Sequence, residues 1–598
     1  MTQVHVLTAF AAAFALAAVS VPVMRRLANA TGVVAQARTD RWHRRRVPLL
    51  GGVAIWLGVL VPATVIVQWD PLSMISLAGG TAMFLLGLAD DFVKLKPSTK
   101  FVGQLIVGCV IVAAGLRLHW FPSAPLDALV TIGWIVGITN AFNLLDNMDG
   151  LSAGIALIAS VALGVIALKG DIGGATIAAL VSGACAAFLI YNFSPASIFM
   201  GDSGSLFLGS TLAILTLADA PGGGRGLLSA LAVPALLMLI PIFDTTLVAV
   251  SRRLSARPAT SGGCDHSSHR LVALGFSERQ AVLMLYAFAA AGGTAAVLLD
   301  SPAIRESNLF TGALLIALIL LAIRLVRVRV YPEGDFRMLR DGRYTPLIAN
   351  WTYRRRIFEI ILDLLITSFA YYAAYVIRFD DDVASHYDRF VLSLPLVIAC
   401  TSGSLLAVGA YRGFWRYFSS TDVVTYSKGI ALGSISSIVV LSYTSHFAGY
   451  SRGVFVVFAL LAAVLVIGSR LSFRLVADIA RRQGANGPRL LIYGAGDGGA
   501  LAVREVRQNR QLRYRIVGFV DDDALKVGKK VMGIPVLDSS DRLAELIAKL
   551  QVEVLLIATE NISTERKVAV ERMCFASGTQ LLRLRFAFEP VAADIHKS

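Results

Sequence analysis

LSMISLAGGTAMFLLGLADDFVKLK, residues 72–96, decides the fold. Eighteen apolar or small residues run without a charge and end abruptly in Asp90-Asp91, then Lys94 and Lys96. A run of that length crosses about 30 Å of hydrocarbon as a helix, and the charges mark where it leaves. Such runs recur along the chain. They are predicted near 4–24, 48–68, 72–89, 102–118, 127–142, 152–168, 173–191, 205–219, 227–250, 280–299 and 309–326, then near 357–378, 390–410, 424–446 and 453–475. The composition agrees: of 598 residues 56% are hydrophobic and only 16% charged, and the mean hydropathy is +0.68. Soluble domains carry roughly 25% charged residues. A single soluble globule and a disordered chain are both excluded. The expected fold is a polytopic α-helical membrane protein of about 15 transmembrane helices in two blocks, with a C-terminal cytoplasmic α/β Rossmann-like domain.

The net charge of +15 is mainly a marker of topology. Basic connections follow odd-numbered spans, as with Arg25 to Arg46, Lys94 to Lys100, Arg252 to Arg270, and Arg324 to Arg356. The positive-inside rule then places the N-terminus outside and these connections in the cytoplasm, against anionic lipid. No nucleic-acid module is present, so no nucleic-acid partner is expected. The first apolar run lacks a small-residue cleavage site and reads as a retained span. Five scattered cysteines, without a CxxC, form neither a disulfide framework nor a zinc site.

Acidic residues fall on the same predicted side. Asp90 and Asp91 follow span 3, Asp146 and Asp149 follow span 5, Asp202 follows span 7, and Asp244 lies late in span 9 ahead of His266 and His269. Carboxylates gathered at span ends on one face are costly unless they function. Adjacent Asp90 and Asp91 repel each other and invite a cation between them, and oxygen ligands suit Mg²⁺ or Mn²⁺. Arg41, Lys94 and Lys100 form a basic rim for phosphate. Asn143, Asp146 and Asp149, three apart, share a face if helical. In Phe199-Met200-Gly201-Asp202-Ser203-Gly204-Ser205 the glycines permit close approach, and the amides could cradle an oxyanion. Metal, phosphate and membrane together point to phosphoryl transfer between a soluble nucleotide and a lipid phosphate. Transport is the competing class, but these acids lie at one face rather than the midplane, and no inverted repeat is visible.

The run TNAFNLLDNMDGLSAG, Thr139–Gly154, resembles the signature of the polyprenyl-phosphate N-acetylhexosamine-1-phosphate transferases, the superfamily of phospho-N-acetylmuramoyl-pentapeptide transferase. DRWHRRRVPLLGG (40–52), GLADDFVKLKPSTKFVGQ (87–104), FMGDSGSLFLG (199–209), and Pro241–Asp244 with DHSSHRL (265–271) agree in order. The resemblance covers about residues 1–330. It implies attack of undecaprenyl phosphate on a UDP-N-acetylhexosamine, giving a polyprenyl diphosphate sugar and UMP, at a bacterial inner membrane. It further implies that Asp202, with Asp90, binds Mg²⁺ and that Asp90 and Asp91 act on the lipid phosphate. Phe199 would stack on uracil near Asn143, Asp146 and Asp149. Lys100, His266 and His269 would be catalytic contacts to phosphate or sugar, with Arg41 and Arg270 on substrate. Ser268 stands where relatives often carry a histidine.

A basic linker is expected at 331–356, a four-span membrane domain at 357–482 and a Rossmann-like domain at 483–598. Strand Arg489–Tyr493 runs into Gly494-Ala495-Gly496-Asp497-Gly498-Gly499 and an amphipathic helix. A second strand ends at Asp521-Asp522-Asp523. Gly494, Gly496 and Gly499 fit a GxGxxG that could hold NAD or a nucleotide-sugar diphosphate, with Asp521 or Asp522 on a ribose. Together with Tyr411-Arg412-Gly413-Phe414-Trp415-Arg416-Tyr417, this half resembles the N-terminal part of membrane-bound polysaccharide-biosynthesis epimerase/dehydratases. The Tyr-x-x-x-Lys pair of those enzymes is missing after Arg482. A regulatory or docking role is therefore expected ahead of nucleotide-sugar modification, the alternative reading. A homodimer and downstream polysaccharide enzymes are the protein partners left open.

Overall fold

A computed structural model describes residues 2–35, 47–118, 123–218, 227–254, 265–300, 304–326, 328, 351–412, 419–483, 487–508, 512, 514–559 and 562–584. The chain divides into two compact units, Met1–Leu475 and Val476–Ser598.

Among its described residues the first unit is helical except for one short ribbon. Its elements are α1 (Thr2–Thr31), β1 (Val34–Ala35), β2 (Val47–Pro48), α2 (Gly51–Ile66), α3 (Pro71–Val93), α4 (Pro97–Ala113), α5 (Ala124–Leu145), α6 (Leu151–Ala167), α7 (Ile172–Asn192), α8 (Gly201–Ala218), α9 (Leu227–Leu237), α10 (Leu239–Leu254), α11 (Ser267–Ala273), α12 (Glu278–Leu299), α13 (Ile304–Val326), α14 (Trp351–Phe379), α15 (Val383–Ala407), α16 (Ser420–Ser445) and α17 (Arg452–Gln483). Among the described residues, ten helices are long and apolar enough to cross a membrane, and the chain is a multi-pass membrane protein. Helices α2, α4 and α6 are apolar but shorter, at 16 to 17 residues.

The span expected at 227–250 is not one rod. It breaks at Met238, and its halves meet at 82°. Pro241 has no N–H to donate, and its ring would clash with the carbonyl four residues back, at Leu237, where α9 ends. The linker expected at 331–356 also ends early, because α14 begins at Trp351.

Aspartates and prolines start several helices. Asp70 accepts from the Ser73 amide at 2.7 Å, and Pro71 occupies the first turn of α3. Without a hydrophobic force between helices in lipid, close backbone approach holds them together. A Cβ at Gly87 on α3 would strike the backbone of Asp202 and Ser203 at the start of α8, and one at Gly52 on α2 would strike Gly204. These contacts fix the start of α8 between α2 and α3.

One apolar core joins α1, α2, α5 to α8, α10 and α12. A second surrounds Tyr371, Phe455 and Phe458 in α14 to α17. Helix α13 contributes Leu314 and Leu318 to the first core and Ile323 to the second. Inside the second core Arg470 is fully buried. Its Nη2 meets Asp363 Oδ2 at 2.6 Å, and its guanidinium lies 5.0 Å from the Tyr426 ring centre.

The second unit holds β3 (Arg489–Tyr493), α18 (Asp497–Gln508), β4 (Arg515–Val520), β5 (Lys530–Val531), β6 (Ile534–Asp538), α19 (Leu543–Leu550), β7 (Val554–Ile557), α20 (Thr564–Ser577) and β8 (Gln580–Arg583). The sheet order is β5-β6-β4-β3-β7-β8. β3 pairs in parallel with both β4 and β7, and among the described residues of this sheet only the β5–β6 pairing is antiparallel. The first strand at the centre, with the order reversing beside it, is Rossmann-like topology.

Candidate active site

Four helices build the cluster around two of the acids. Asp90 lies in the last turn of α3, Lys100 in the first turn of α4, Asn143 near the end of α5 and Asp202 in the first turn of α8. Lys100 Nζ lies 3.0 Å from Asp90 Oδ2 and 3.2 Å from Asn143 Oδ1, and it pairs with Asp202 Oδ2. Asn143 Nδ2 donates to Asp202 Oδ1 and Ser205 Oγ, both at 2.9 Å. Asp90 Oδ1 also accepts from the Leu95 amide at 2.7 Å, which holds the α3–α4 turn. The Asp90 and Lys100 side chains are 13% exposed and that of Asp202 is 36% exposed, so the cluster opens on the Asp202 side.

Asp90 and Asp91 thus do not enclose a shared position between them. Successive helical residues point in different directions and do not face each other. Asp91 turns instead to the start of α8, where Oδ1 accepts from the Asp202 amide at 2.8 Å and Oδ2 from the Ser203 amide at 3.0 Å. A carboxylate from one helix caps another, satisfying two orphan amides and favoured by the helix dipole. Gly201 enters this turn at φ +75°, which glycine adopts without strain. The oxyanion in the Gly201–Ser205 cradle is therefore Asp91 itself.

Nor do Asn143, Asp146 and Asp149 share a helical face. Helix α5 ends at Leu145, Asp146 caps it, and Gly150 turns the chain at φ +77°. Asp149 is buried, and its Oδ2 accepts from the Ala196 amide at 2.8 Å, tying the α5–α6 turn to the loop before α8. Phe199, half-buried, is fixed through its backbone: its amide donates to Pro48 O at 2.8 Å, and its carbonyl accepts from Gly51 at 2.9 Å.

A second group lies around α11. Asp244 of α10 bonds His266 Nδ1 at 2.7 Å and accepts from the amide and hydroxyl of Ser267, each at 2.6 Å. The carboxylate fixes the imidazole orientation through Nδ1. Nothing in the Asp244 spacing alone marked it as a histidine partner. His269 is buried with its ring 6.0 Å from that of His266; burial, helped by His266, pushes it down to about 4, so it is neutral at physiological pH. Ser268 Oγ donates to Asn147 Oδ1 at 2.7 Å, joining this loop to the α5–α6 turn.

Arg270 is engaged by the protein itself. It is buried, and its guanidinium donates to Asp265 O, Ser251 Oγ, and Leu325 O and Val328 O at the end of α13. It pins the loop to α13, as Arg252 pins Asp265 at 3.0 Å. Arg41 lies outside the described residues.

In the C-terminal unit the glycine loop forms, and its expected acids are hydrogen-bonded within the protein, Asp521 buried and Asp522 exposed. A Cβ at Gly499 would strike the Gly494 carbonyl, and one at Gly496 would meet open space. Asp521 Oδ2 accepts from Ala495 N, within the loop, at 2.6 Å and from Lys526 at 3.2 Å; Oδ1 accepts from Asp523 N at 2.9 Å. Asp522 accepts from Tyr493 Oη at 2.5 Å and Ser540 N at 2.9 Å. Burial works to raise both carboxyls, but these donors outweigh it and hold both below the ordinary range. Asp497 adds a negative charge at the start of α18.

The sequence model of glycosyl transferase family 4 matches residues 73–219, which include Asp90, Asp91, Lys100, Asn143 and Asp202. A "Probable undecaprenyl-phosphate N-acetylglucosaminyl 1-phosphate transferase" of Bacillus subtilis is 34% identical over 314 residues, covering 50% of this chain and 87% of that protein. The chain belongs to this family. A decaprenyl-phosphate N-acetylglucosaminephosphotransferase of Mycolicibacterium smegmatis is 32% identical, with 51% and 84% covered. A phospho-N-acetylmuramoyl-pentapeptide-transferase of Moorella thermoacetica is 30% identical, with 44% and 88% covered. A model described as a CoA-binding domain matches residues 407–570 of this family member, across the later membrane helices and most of the Rossmann-like sheet.

Proposed function

We propose that the chain transfers an N-acetylhexosamine-1-phosphate from a UDP-sugar to undecaprenyl phosphate at a bacterial inner membrane. A phosphate oxygen of the lipid attacks the β-phosphorus; the new P–O bond forms as the bond to UMP breaks, and the electron pair leaves on UMP. The nucleophile is already anionic, so the protein's work is positioning and charge neutralisation. The convergence of Asp90, Asn143 and Asp202 on one cation position carries this reading. These oxygens fit Mg²⁺ or Mn²⁺, which would neutralise the diphosphate when bound. Among the described residues no cluster of three or more His, Cys, Asp or Glu is built to hold a metal. Two carboxylates and an amide oxygen leave ligand positions for phosphate and water, as Mg²⁺ prefers.

Asp91 holds the start of α8, and so Asp202, in register. His266, oriented by Asp244, faces the sugar or its phosphate. The basic connections favour placing this end of the bundle, and the C-terminal unit, in the cytoplasm. The C-terminal unit is assigned a docking or sensing role, within a homodimer or toward downstream polysaccharide enzymes.

The test incubates membranes holding the protein with radiolabelled UDP-N-acetylhexosamines, undecaprenyl phosphate and Mg²⁺. Label is expected in the lipid fraction, with release of UMP. No lipid label across the donor panel overturns the reading.

A further inference from the structure

Lys100 presents an unusual balance. An ammonium has three donors. Here its three acceptors are Asp90 Oδ2, Asn143 Oδ1 and Asp202 Oδ2, so every donor is engaged within the protein. Those oxygens come from three different helices and are the same ones that suit a divalent cation. Two positive charges compete for them, because they repel at that range. Lys100, in this position, cannot donate to a substrate phosphate.

We infer that Lys100 is the resident counter-ion of the Asp90–Asp202 site, and that binding of a divalent cation displaces its ammonium from the carboxylates and frees it for the substrate's phosphates. The inference rests on the metal-binding reading of Asp90 and Asp202. Its physical basis is an exchange of cations. Without metal, two carboxylates largely withdrawn from water would repel each other, and Lys100 neutralises them. The more exposed Asp202 side gives the incoming ion its approach. Asn143 is held by bonds to Asp202 and Ser205 and keeps its place during the exchange. The side chain of Lys100 has four rotatable carbons, so release needs no movement of α4. Its donors become available only when a cation already occupies the site, which orders metal loading before phosphate contact.

The experiment measures Mn²⁺ binding by electron paramagnetic resonance, with the full chain in neutral-lipid nanodiscs and no substrate. Lys100→Met should bind Mn²⁺ about tenfold or more tightly than wild type, because the competing charge is gone. Binding by the variant alone, with none by wild type, supports the inference equally. Unchanged or weaker affinity in Lys100→Met, or binding by neither protein, overturns it. Asp202→Asn tests the underlying reading separately: wild-type affinity in that variant removes the metal assignment, whatever Lys100→Met does. A second measurement needs no variant. Labelling of Lys100 by an amine-reactive reagent, read by peptide mass spectrometry, should rise severalfold when Mg²⁺ is added to wild type. Labelling indifferent to Mg²⁺ overturns the displacement.

Discussion

Asp90 and Asp202 in the membrane unit, and Asp521 and Asp522 in the C-terminal unit, all come from Asp-containing stretches beside an apolar element. In the first pair the shared partner is a side-chain ammonium on a flexible stem, and the Asp202 side chain is 36% exposed. In the second pair the nearest partners are backbone amides of Ala495, Asp523 and Ser540, and the Tyr493 hydroxyl, with the cations Lys526 and Arg566 farther off at 3.2 and 3.5 Å. A partner that can leave makes a site; partners fixed in the backbone make a fold. Asp91 shows the same division within three residues of chain. It stands next to Asp90, yet both its oxygens receive amides of α8.

The largest effect should break the first pair. Asp202→Ala removes the most exposed oxygens of the cation position and is expected to abolish transfer in the lipid-label assay. Near-normal activity in that variant means that Asp202 belongs with the fixed acids. Next comes Asp244→Asn. It keeps the shape but weakens the bond that orients His266. Orienting partners of this kind are worth about 10- to 100-fold, so turnover should fall by that much. An unchanged rate places His266 outside the reaction. Asp91→Asn should cost less, about tenfold in turnover. It leaves one acceptor but weakens the cap on α8 by about 1 kcal/mol. Mn²⁺ affinity should fall with it, since Asp202 loses its register; transfer lost with affinity intact would mean that Asp91 acts on substrate directly.

The membrane helices were legible because a bilayer leaves few alternatives. Length and apolarity predict helical segments, of which ten among the described residues are long and apolar enough to span, against the fifteen expected. The bend at Met238 was also written in the chain, as Pro241, but only the break shows which carbonyl lost its donor. The directions of the acids were not legible. Spacing alone gives Asn143, Asp146 and Asp149 one helical face, and it fails because α5 stops at Leu145 and Gly150 reverses the chain. Arg270 sits in a run shared with relatives, and its neighbours do not reveal that it binds carbonyls at the end of α13, 55 residues later. Likewise GxGxxG marks the loop between β3 and α18 correctly. The acid beyond β4 returns to that loop's own amide, a tertiary contact that no local pattern encodes.

The smallest effect should sharpen the contrast from the other side. Asp521→Asn is expected to leave transfer unchanged and to destabilise the C-terminal unit by on the order of 1 kcal/mol at pH 7, since an ionised acceptor is lost from Ala495 and Lys526. The Asp521 carboxyl is held below its ordinary value of 3.8 in the folded unit. A depressed carboxyl contributes stability that is complete above that ordinary value and is lost as the pH falls through the folded value beneath it. The gap between wild type and Asp521→Asn should therefore be constant at neutral pH and close below about pH 4. Proteolysis of the full chain in detergent, following cleavage within the C-terminal unit across that range, measures it. A gap that persists in acid would mean that the charge of Asp521 is not what holds the loop. A parallel loss of transfer would mean that the glycine loop serves the reaction after all, and the contrast between exchangeable and fixed acids would no longer divide the molecule by function.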